Sequence, residues 1–218
     1  MSKVKYKKQN KTKQKIQRSM ARRAVGKLFT DSSALLCCDV QERFRDLIVG
    51  FESVVRTGSF LVKVCNELRV PVVVTEQYPR AFKHTVPELQ ADLKDSVCDT
   101  FEKTKFSMCT EEVMNSLKSR NIRSAILFGI ETHVCVQQTT LDLLESGIDV
   151  HIVVDGVSSQ RETDRKFAIE RLRQAGAFIT TSESVAFMLL HDAKHPAFKQ
   201  VSALIKENGA VPSTLASL

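Results

Sequence analysis

Six short apolar runs, separated by stretches of helical period, constrain this chain more than any other feature. They are Ala34–Asp39, Val70–Glu76, Val97–Phe101, Ser124–Gly129, Asp149–Val154 and Ala177–Thr181. Most are continuously apolar rather than alternating, which is the pattern of strands covered on both faces. Between them, Val54, Val55, Gly58, Leu61, Val62, Cys65 and Leu68 form an apolar stripe of helical period. Shorter helices are expected over 111–119, 134–145 and 161–175, with Gly147 and Gly176 where C-terminal caps belong. Strand–helix alternation of this kind predicts an α/β domain of three layers, Rossmann-like, with a mainly parallel six-stranded sheet. The common doubly wound strand order is 3-2-1-4-5-6, and ligands of such sheets bind beyond the carboxyl ends of the strands. The residues just after each apolar run are therefore the ones to read. No run approaches the ~18 apolar residues of a membrane-spanning helix, and a hydrophobic content of 43% excludes a mostly disordered chain.

The formal net charge of +7 is unevenly spread. Residues 1–30 hold eleven Lys and Arg and no acid, which leaves 21 basic against 25 acidic residues in 31–218. The chain thus divides into a basic leader, 1–30, and a mildly acidic body, 31–218, whose charge argues against a nucleic-acid-binding face on the body. Residues 1–15 are nearly devoid of apolar side chains and are expected to be disordered. From Ile16 on, Met20, Ala24 and Leu28 recur every four residues, with Ala21, Val25 and Phe29 beside them. That is a basic amphipathic helix pattern. Three roles stay open for it: docking on its own domain, a mitochondrial presequence, or contact with RNA or an anionic membrane. Six cysteines without C-x-x-C spacing or a secretory segment fit a reducing compartment, hence the cytoplasm, or the mitochondrion if the leader is a presequence.

Several familiar motifs are missing from the sequence. There is no G-x-G-x-x-G, no G-x-x-x-x-G-K-[ST] and no G-x-S-x-G. His191 and His195 stand four apart, but no acid completes an H-E-x-x-H arrangement and Pro196 ends the segment. Three strand ends are more informative. The first run leads into Asp39, which by itself also reads as a helix N-cap. The third is followed by Lys103 and Lys105. The fourth leads through Glu131 to Thr132, a plausible N-cap, so that Cys135 falls in the first helical turn. There the free backbone N–H groups and the helix dipole favour a thiolate, although a buried inert cysteine is the commoner outcome. With strands 1 and 4 adjacent, Asp39 lies beside Cys135, and the loop after strand 3 has to reach across to bring a lysine. A carboxylate, a cation and a thiol in one cleft make a nucleophile with its base and its electrostatic partner.

These segments resemble the isochorismatase-like cysteine hydrolases, and most closely the eukaryotic isochorismatase domain-containing proteins. The resemblance runs through CDVQERF (38–44), PVVVTEQYP (71–79), EKTKFSM (102–108), GIETHVCVQQTTLDLLESG (129–147), VVDGVSS (153–159), QAGAFITTSES (174–184) and DAKHPAFK (192–199), about residues 33–207. It implies a three-layer fold and a catalytic triad of Asp39, Lys103 and Cys135. Lys103 is chosen because it stands three before Phe106-Ser107, as the family's K-x-x-[FY]-S pattern requires, whereas Lys105 does not. The resemblance further implies an oxyanion hole from the backbone N–H groups of Glu131 and Cys135, a cis Ile130–Glu131 peptide, and a homo-oligomer.

Isochorismatases proper cleave a vinyl ether without a nucleophilic cysteine, so Cys135 points to the amidohydrolase branch. Nicotinamidases of this family carry an Asp/His metal cluster after the second strand. Here that place reads Thr75-Glu76-Gln77-Tyr78-Pro79, with only His84 nearby, and no three- or four-ligand set can be assembled. Neither metal nor other cofactor is expected. Phe44, Tyr78 and Phe106 are expected to line the pocket, favouring a small, flat or partly apolar amide that is cleaved at its C–N bond through a thioester. Two other classes stay open: a non-catalytic interaction protein that retains the fold, and an RNA-associated protein that uses the leader.

Overall fold

The computed structural model describes residues 25–215. Its sheet has six strands: β1 (Ser33–Cys38), β2 (Val72–Gln77), β3 (Cys98–Lys103), β4 (Ser124–Ile130), β5 (Asp149–Ser158) and β6 (Phe178–Thr180). They lie in the order β3-β2-β1-β4-β5-β6 and every neighbouring pair is parallel. The helices are α1 (Phe51–Leu68), α2 (Pro79–Phe82), α3 (Pro87–Leu93), α4 (Glu111–Ser119), α5 (Gln137–Glu145), α6 (Glu162–Ala175), α7 (Ser182–Leu190) and α8 (Phe198–Gly209).

Strand alternation divides the core in two. Leu35, Cys37, Ile126 and Phe128 point to one side, where they pack with α1, α3, α7 and α8. Leu36, Cys38, Ala125 and Leu127 point to the other, beneath α4, α5 and α6. Both faces are covered, which is why β1 and β4 are buried along their whole length.

The expected strands and the helices α1, α5 and α6 are present with shifted ends, and α4 spans the expected 111–119. β3 starts one residue later and runs two residues further, so Lys103 is its last residue and not part of the following loop. β5 extends to Ser158 with an irregular register between Leu127 and Gly129 of its partner. Gly176 caps α6 with φ 104°, as expected. Helices α7 and α8 lie outside the expected segments: in α7 the apolar run 185–190 obscures any period, whereas α8 carries an apolar stripe of Phe198, Val201, Leu204 and Ile205.

His191 and His195 do not share a helix face. His191 closes α7 with φ 60°, and the His195 ring accepts from the Ala197 N–H in the following turn. Of the amphipathic pattern expected from Ile16 to Phe29, residues 16–24 lie outside the described residues. Residues 25–29 form no helix. Gly26 takes φ 66° with the Phe178 ring packed against it, and Leu28 is fully buried in the core instead of lying along a helix stripe. Among the described residues, no helix is long and apolar enough to cross a membrane.

Candidate active site

The site is assembled where β1, β2, β3 and β4 end. After Cys38 the chain kinks: Asp39 takes φ 53°, its N–H bonds to Thr75 O at 3.2 Å, and its carbonyl accepts from Gln41 N at 2.9 Å. Aspartate is one of the few residues that visit this left-handed region readily. No helix starts at residue 40; the next element is a single 3-10 turn, Glu42–Phe44, capped by Gln41. The N-cap reading of Asp39 therefore does not apply, and its carboxylate turns inward instead.

That carboxylate is 2% exposed and fully engaged. Oδ1 accepts from the Thr75 hydroxyl at 2.7 Å, and Oδ2 accepts from Lys103 Nζ at 2.7 Å and from the Cys38 thiol at 3.6 Å. The side chain of Lys103 is completely buried. Its ammonium also donates to Gln77 Oε1 at 2.7 Å, Phe106 O at 3.0 Å and Lys105 O at 3.1 Å. Contrary to expectation, no loop has to reach across. Lys103 and Gln77 are register partners at the ends of β3 and β2, and the long lysine side chain passes the end of β2 to reach Asp39. Lys105, the neighbouring alternative, is exposed and bonds to Asp142 Oδ2 at 3.0 Å and Cys109 O at 3.1 Å.

β4 approaches this pair as closely as a backbone can. Gly129 stands opposite Cys38 with φ 120°, and a Cβ there would run into the Cys38 carbonyl oxygen. Only glycine lets the two strand ends meet in this way. The Ile130–Glu131 peptide is cis, as the resemblance implies.

A single π-type turn follows, Thr132–Val136, which runs straight into α5. Its cap is Glu131, in extended conformation, and not Thr132. The Glu131 carbonyl accepts from Val134 N and Val136 N at 3.0 and 3.2 Å, while the Thr132 hydroxyl is buried with no partner among the described residues. Cys135 lies in this turn, 8% exposed and packed in the same layer as Cys38. Its carbonyl accepts from the Thr139 hydroxyl at 2.6 Å, and that oxygen in turn accepts from Met108 N at 2.8 Å. Thr139 thereby ties the cysteine turn to the segment behind Lys103. The Glu131 N–H has no acceptor among the described residues, and the Glu131 carboxylate is turned away onto Gln160 N at 2.9 Å.

The electrostatics follow from burial. Desolvation pushes the Asp39 carboxyl above its ordinary 3.8, with Lys103, Thr75 and the nearby Cys135 thiol pulling the other way. Burial pulls Lys103 down, but the potentials of Cys38, Asp39 and Cys135 outweigh it and leave its pKa raised, so the ammonium stays charged. Burial, and then the proximity of the Cys135 thiol and Asp39, hold the Cys38 thiol protonated well above the ordinary range.

Asp39, Lys103 and Cys135 are thus brought together. Tyr78 and Phe106 are half-exposed and meet Lys103 through their backbones, the Tyr78 N–H bonding to Lys103 O at 2.8 Å and the Phe106 carbonyl accepting from Lys103 Nζ at 3.0 Å. Phe44 is placed differently, stacked on Phe82 with ring centroids 4.9 Å apart. Around the end of β2 the residues near His84 form a closed network: Glu76 accepts from Thr85 N and Oγ1 and pairs with His84 Nδ1 at 2.8 Å. Among the described residues, no three His, Cys, Asp or Glu side chains gather as a metal-binding set. Thr75, Gln77 and Thr139 were not anticipated as site residues. For Thr75 and Gln77 the signal is the T-x-Q spacing at the end of β2, which puts both side chains on one face of the strand; Thr139, in α5, carries no such signal.

A family model described as the isochorismatase domain matches residues 33–184. Isochorismatase family protein 1A of Dictyostelium discoideum is 48% identical over 188 residues, covering 85% of this chain and 91% of that protein. Isochorismatase domain-containing protein 2 of Xenopus laevis is 49% identical over 187 residues, covering 85% and 89%. Among solved structures, the one described as the MAR1 ribonuclease of Caenorhabditis elegans is 44% identical with a TM-score of 0.83, covering 88% of this chain and 98% of that one.

Proposed function

The chain belongs to the isochorismatase family, and from that premise we propose that it is a hydrolase of small-molecule amides, with Cys135 as nucleophile. The observation that carries this reading is the buried Asp39–Lys103 pair at the strand ends, 2.7 Å apart and close to the Cys135 thiol. A cation and a carboxylate are costly to bury unless they act together. Here they stand beside a thiol in the first turn of a helix, where cysteine nucleophiles are activated.

In this mechanism Asp39 takes the thiol proton of Cys135, and the fixed charge of Lys103 keeps the site balanced as the thiolate forms. The sulfur attacks the amide carbon. The charge that develops on the carbonyl oxygen meets the unengaged Glu131 N–H and the N–H of Cys135; one such donor is typically worth ~3–4 kcal/mol of barrier. Asp39 then gives its proton to the leaving nitrogen, the C–N bond breaks, and a thioester remains. A water deprotonated by Asp39 attacks that thioester, giving the carboxylic acid and the free thiol. Because the Asp39 carboxyl titrates above the ordinary 3.8, the acid limb of kcat/KM is expected above that pH.

The test is a screen of metabolite extracts with wild-type and Cys135→Ala protein. Wild type is expected to consume an amide and to accumulate a hydroxylamine-trappable thioester. Cys135→Ala should lose about ten-thousand-fold in turnover with an unchanged circular dichroism spectrum. Full activity in that variant would remove the mechanism. Sluggish alkylation of Cys135 by iodoacetamide at neutral pH would favour a non-catalytic interaction protein instead.

A second reading is favoured by two observations, the 44% identity to a protein described as a ribonuclease and the basic leader. The site argues against it. The Lys103 ammonium is enclosed by four oxygens and is not free to meet a phosphodiester. An RNA oligonucleotide in the same screen separates the two: cleavage that depends on Cys135 would favour the ribonuclease reading over the amidase.

A further inference from the structure

No step of the hydrolysis uses Cys38, although its thiol donates to the same Asp39 oxygen that holds Lys103. Strand alternation decides which of two adjacent cysteines arrives there. Cys37 points into the layer of α1, whereas Cys38 points into the layer that holds Cys135. Cys38 is fully buried and Cys135 is 8% exposed, so a small solute from solvent reaches Cys135 before Cys38.

We propose that Cys38 is a resolving thiol for Cys135, making the site a reversible modification site for small hydroperoxides. The inference rests on the reading of Cys135 as a reactive thiol. Hydrogen peroxide is the simplest reagent of the class. The Cys135 thiolate attacks one peroxide oxygen and the O–O bond breaks. Sulfur is oxidised by two electrons to the sulfenic acid, and the leaving hydroxide takes up the proton that Asp39 had received and departs as water. Cys38 then attacks the Cys135 sulfur and the S–O bond breaks. The proton of Cys38 passes through Asp39, 3.6 Å from its sulfur, to the departing hydroxide, giving a Cys38–Cys135 disulfide and a second water. Burial keeps Cys38 protonated until then, which protects it from direct oxidation and leaves Cys135 as the first point of attack. The disulfide occupies the nucleophile and silences the site until a dithiol reduces it.

The test uses the full chain treated with hydrogen peroxide, read by intact mass and peptide mapping. Wild type is expected to lose two hydrogens, to yield a peptide joining Cys135 to Cys38, and to regain both thiols with dithiothreitol. Cys38→Ala should form no such link. Its Cys135 should gain two oxygens, and the dithiothreitol-recoverable thiol should fall about tenfold. Cys37→Ala should behave as wild type. Oxygen gain at Cys135 of wild type without the link, or a link through Cys37, overturns the proposal; the wild-type map decides alone if Cys38→Ala does not fold. Iodoacetamide labelling of the reduced protein separates the two readings. A labelled Cys135 that forms no link sinks only the redox inference. A link that forms while Cys135→Ala still turns over amide sinks only the hydrolase reading, and an unreactive Cys135 sinks both.

Discussion

Lys103 on β3 and His151 on β5 are both buried and ionisable, and the molecule treats them in opposite ways. At the carboxyl end of β3, the Lys103 ammonium is enclosed by a carboxylate, an amide and two carbonyls, and it stays charged. Within the β5 ladder, between Ile126 of β4 and Phe178 of β6, His151 is equally buried but neither ring nitrogen has a partner among the described residues. Its ring lies against Phe178, centroids 4.9 Å apart, and desolvation pulls its pKa from 6.5 down to about 4. Strand ends expose backbone carbonyls and bring polar side chains from neighbouring strands within reach. A strand interior offers only ladder bonds and apolar neighbours, so an ionisable group there survives only in its neutral form. The difference marks the strand ends as the place where charge is held for use.

The comparison breaks most visibly at Lys103. Lys103→Met leaves the Asp39 carboxylate buried without its cation and is expected to cost about 3–5 kcal/mol. The double variant with Asp39→Asn should recover much of that loss. Urea denaturation of both variants measures it, and additive losses would mean that the two side chains are not coupled.

The effect at His151 is expected to be about 3 kcal/mol and to depend on pH. Its folded pKa lies below its unfolded one. Stability is therefore complete above 6.5 and is lost as pH falls from 6.5 toward about 4, because the unfolded chain takes up a proton that the folded one refuses. His151→Phe should flatten this part of the stability curve. Denaturation midpoints at pH 7, 5.5 and 4, values chosen to span that shift, would contradict the account if the two proteins kept a constant difference. The smallest change is at Lys105, whose exposed bond to Asp142 is expected to contribute under about 1 kcal/mol. Lys105→Ala should leave both stability and turnover nearly unchanged, and a loss comparable to that of Lys103→Met would reverse the assignment of the two lysines.

Much of the site was legible because its residues sit at the ends of apolar runs. Asp39 and Cys135 each follow a strand buried on both sides, whereas the strand end alone left Lys103 and Lys105 open and only the resemblance, through its K-x-x-[FY]-S pattern, separated them. The end of β3 was not legible. Its residues are only partly buried, so the apolar run stops at Phe101 while the ladder continues to Lys103. The supporting groups were hidden for a related reason. Thr75, Gln77 and Thr139 are ordinary polar residues whose importance lies in which oxygen or nitrogen they meet across the sheet. Helix α7 was hidden because its last six residues, 185–190, are all apolar and show no period.

The order of apolar and amphipathic segments was enough to determine an α/β domain with its chemistry at the strand ends, since burial on two faces and burial on one leave different patterns along a chain. Which side chains touch there was decided only by the tertiary structure. The left-handed turn at Asp39, the approach of Gly129 to Cys38 and the span of Lys103 past Gln77 all depend on pairing between segments distant in sequence. Hydrogen-bond geometry is set over tenths of an ångström, and no local pattern of residue types encodes distances across a sheet.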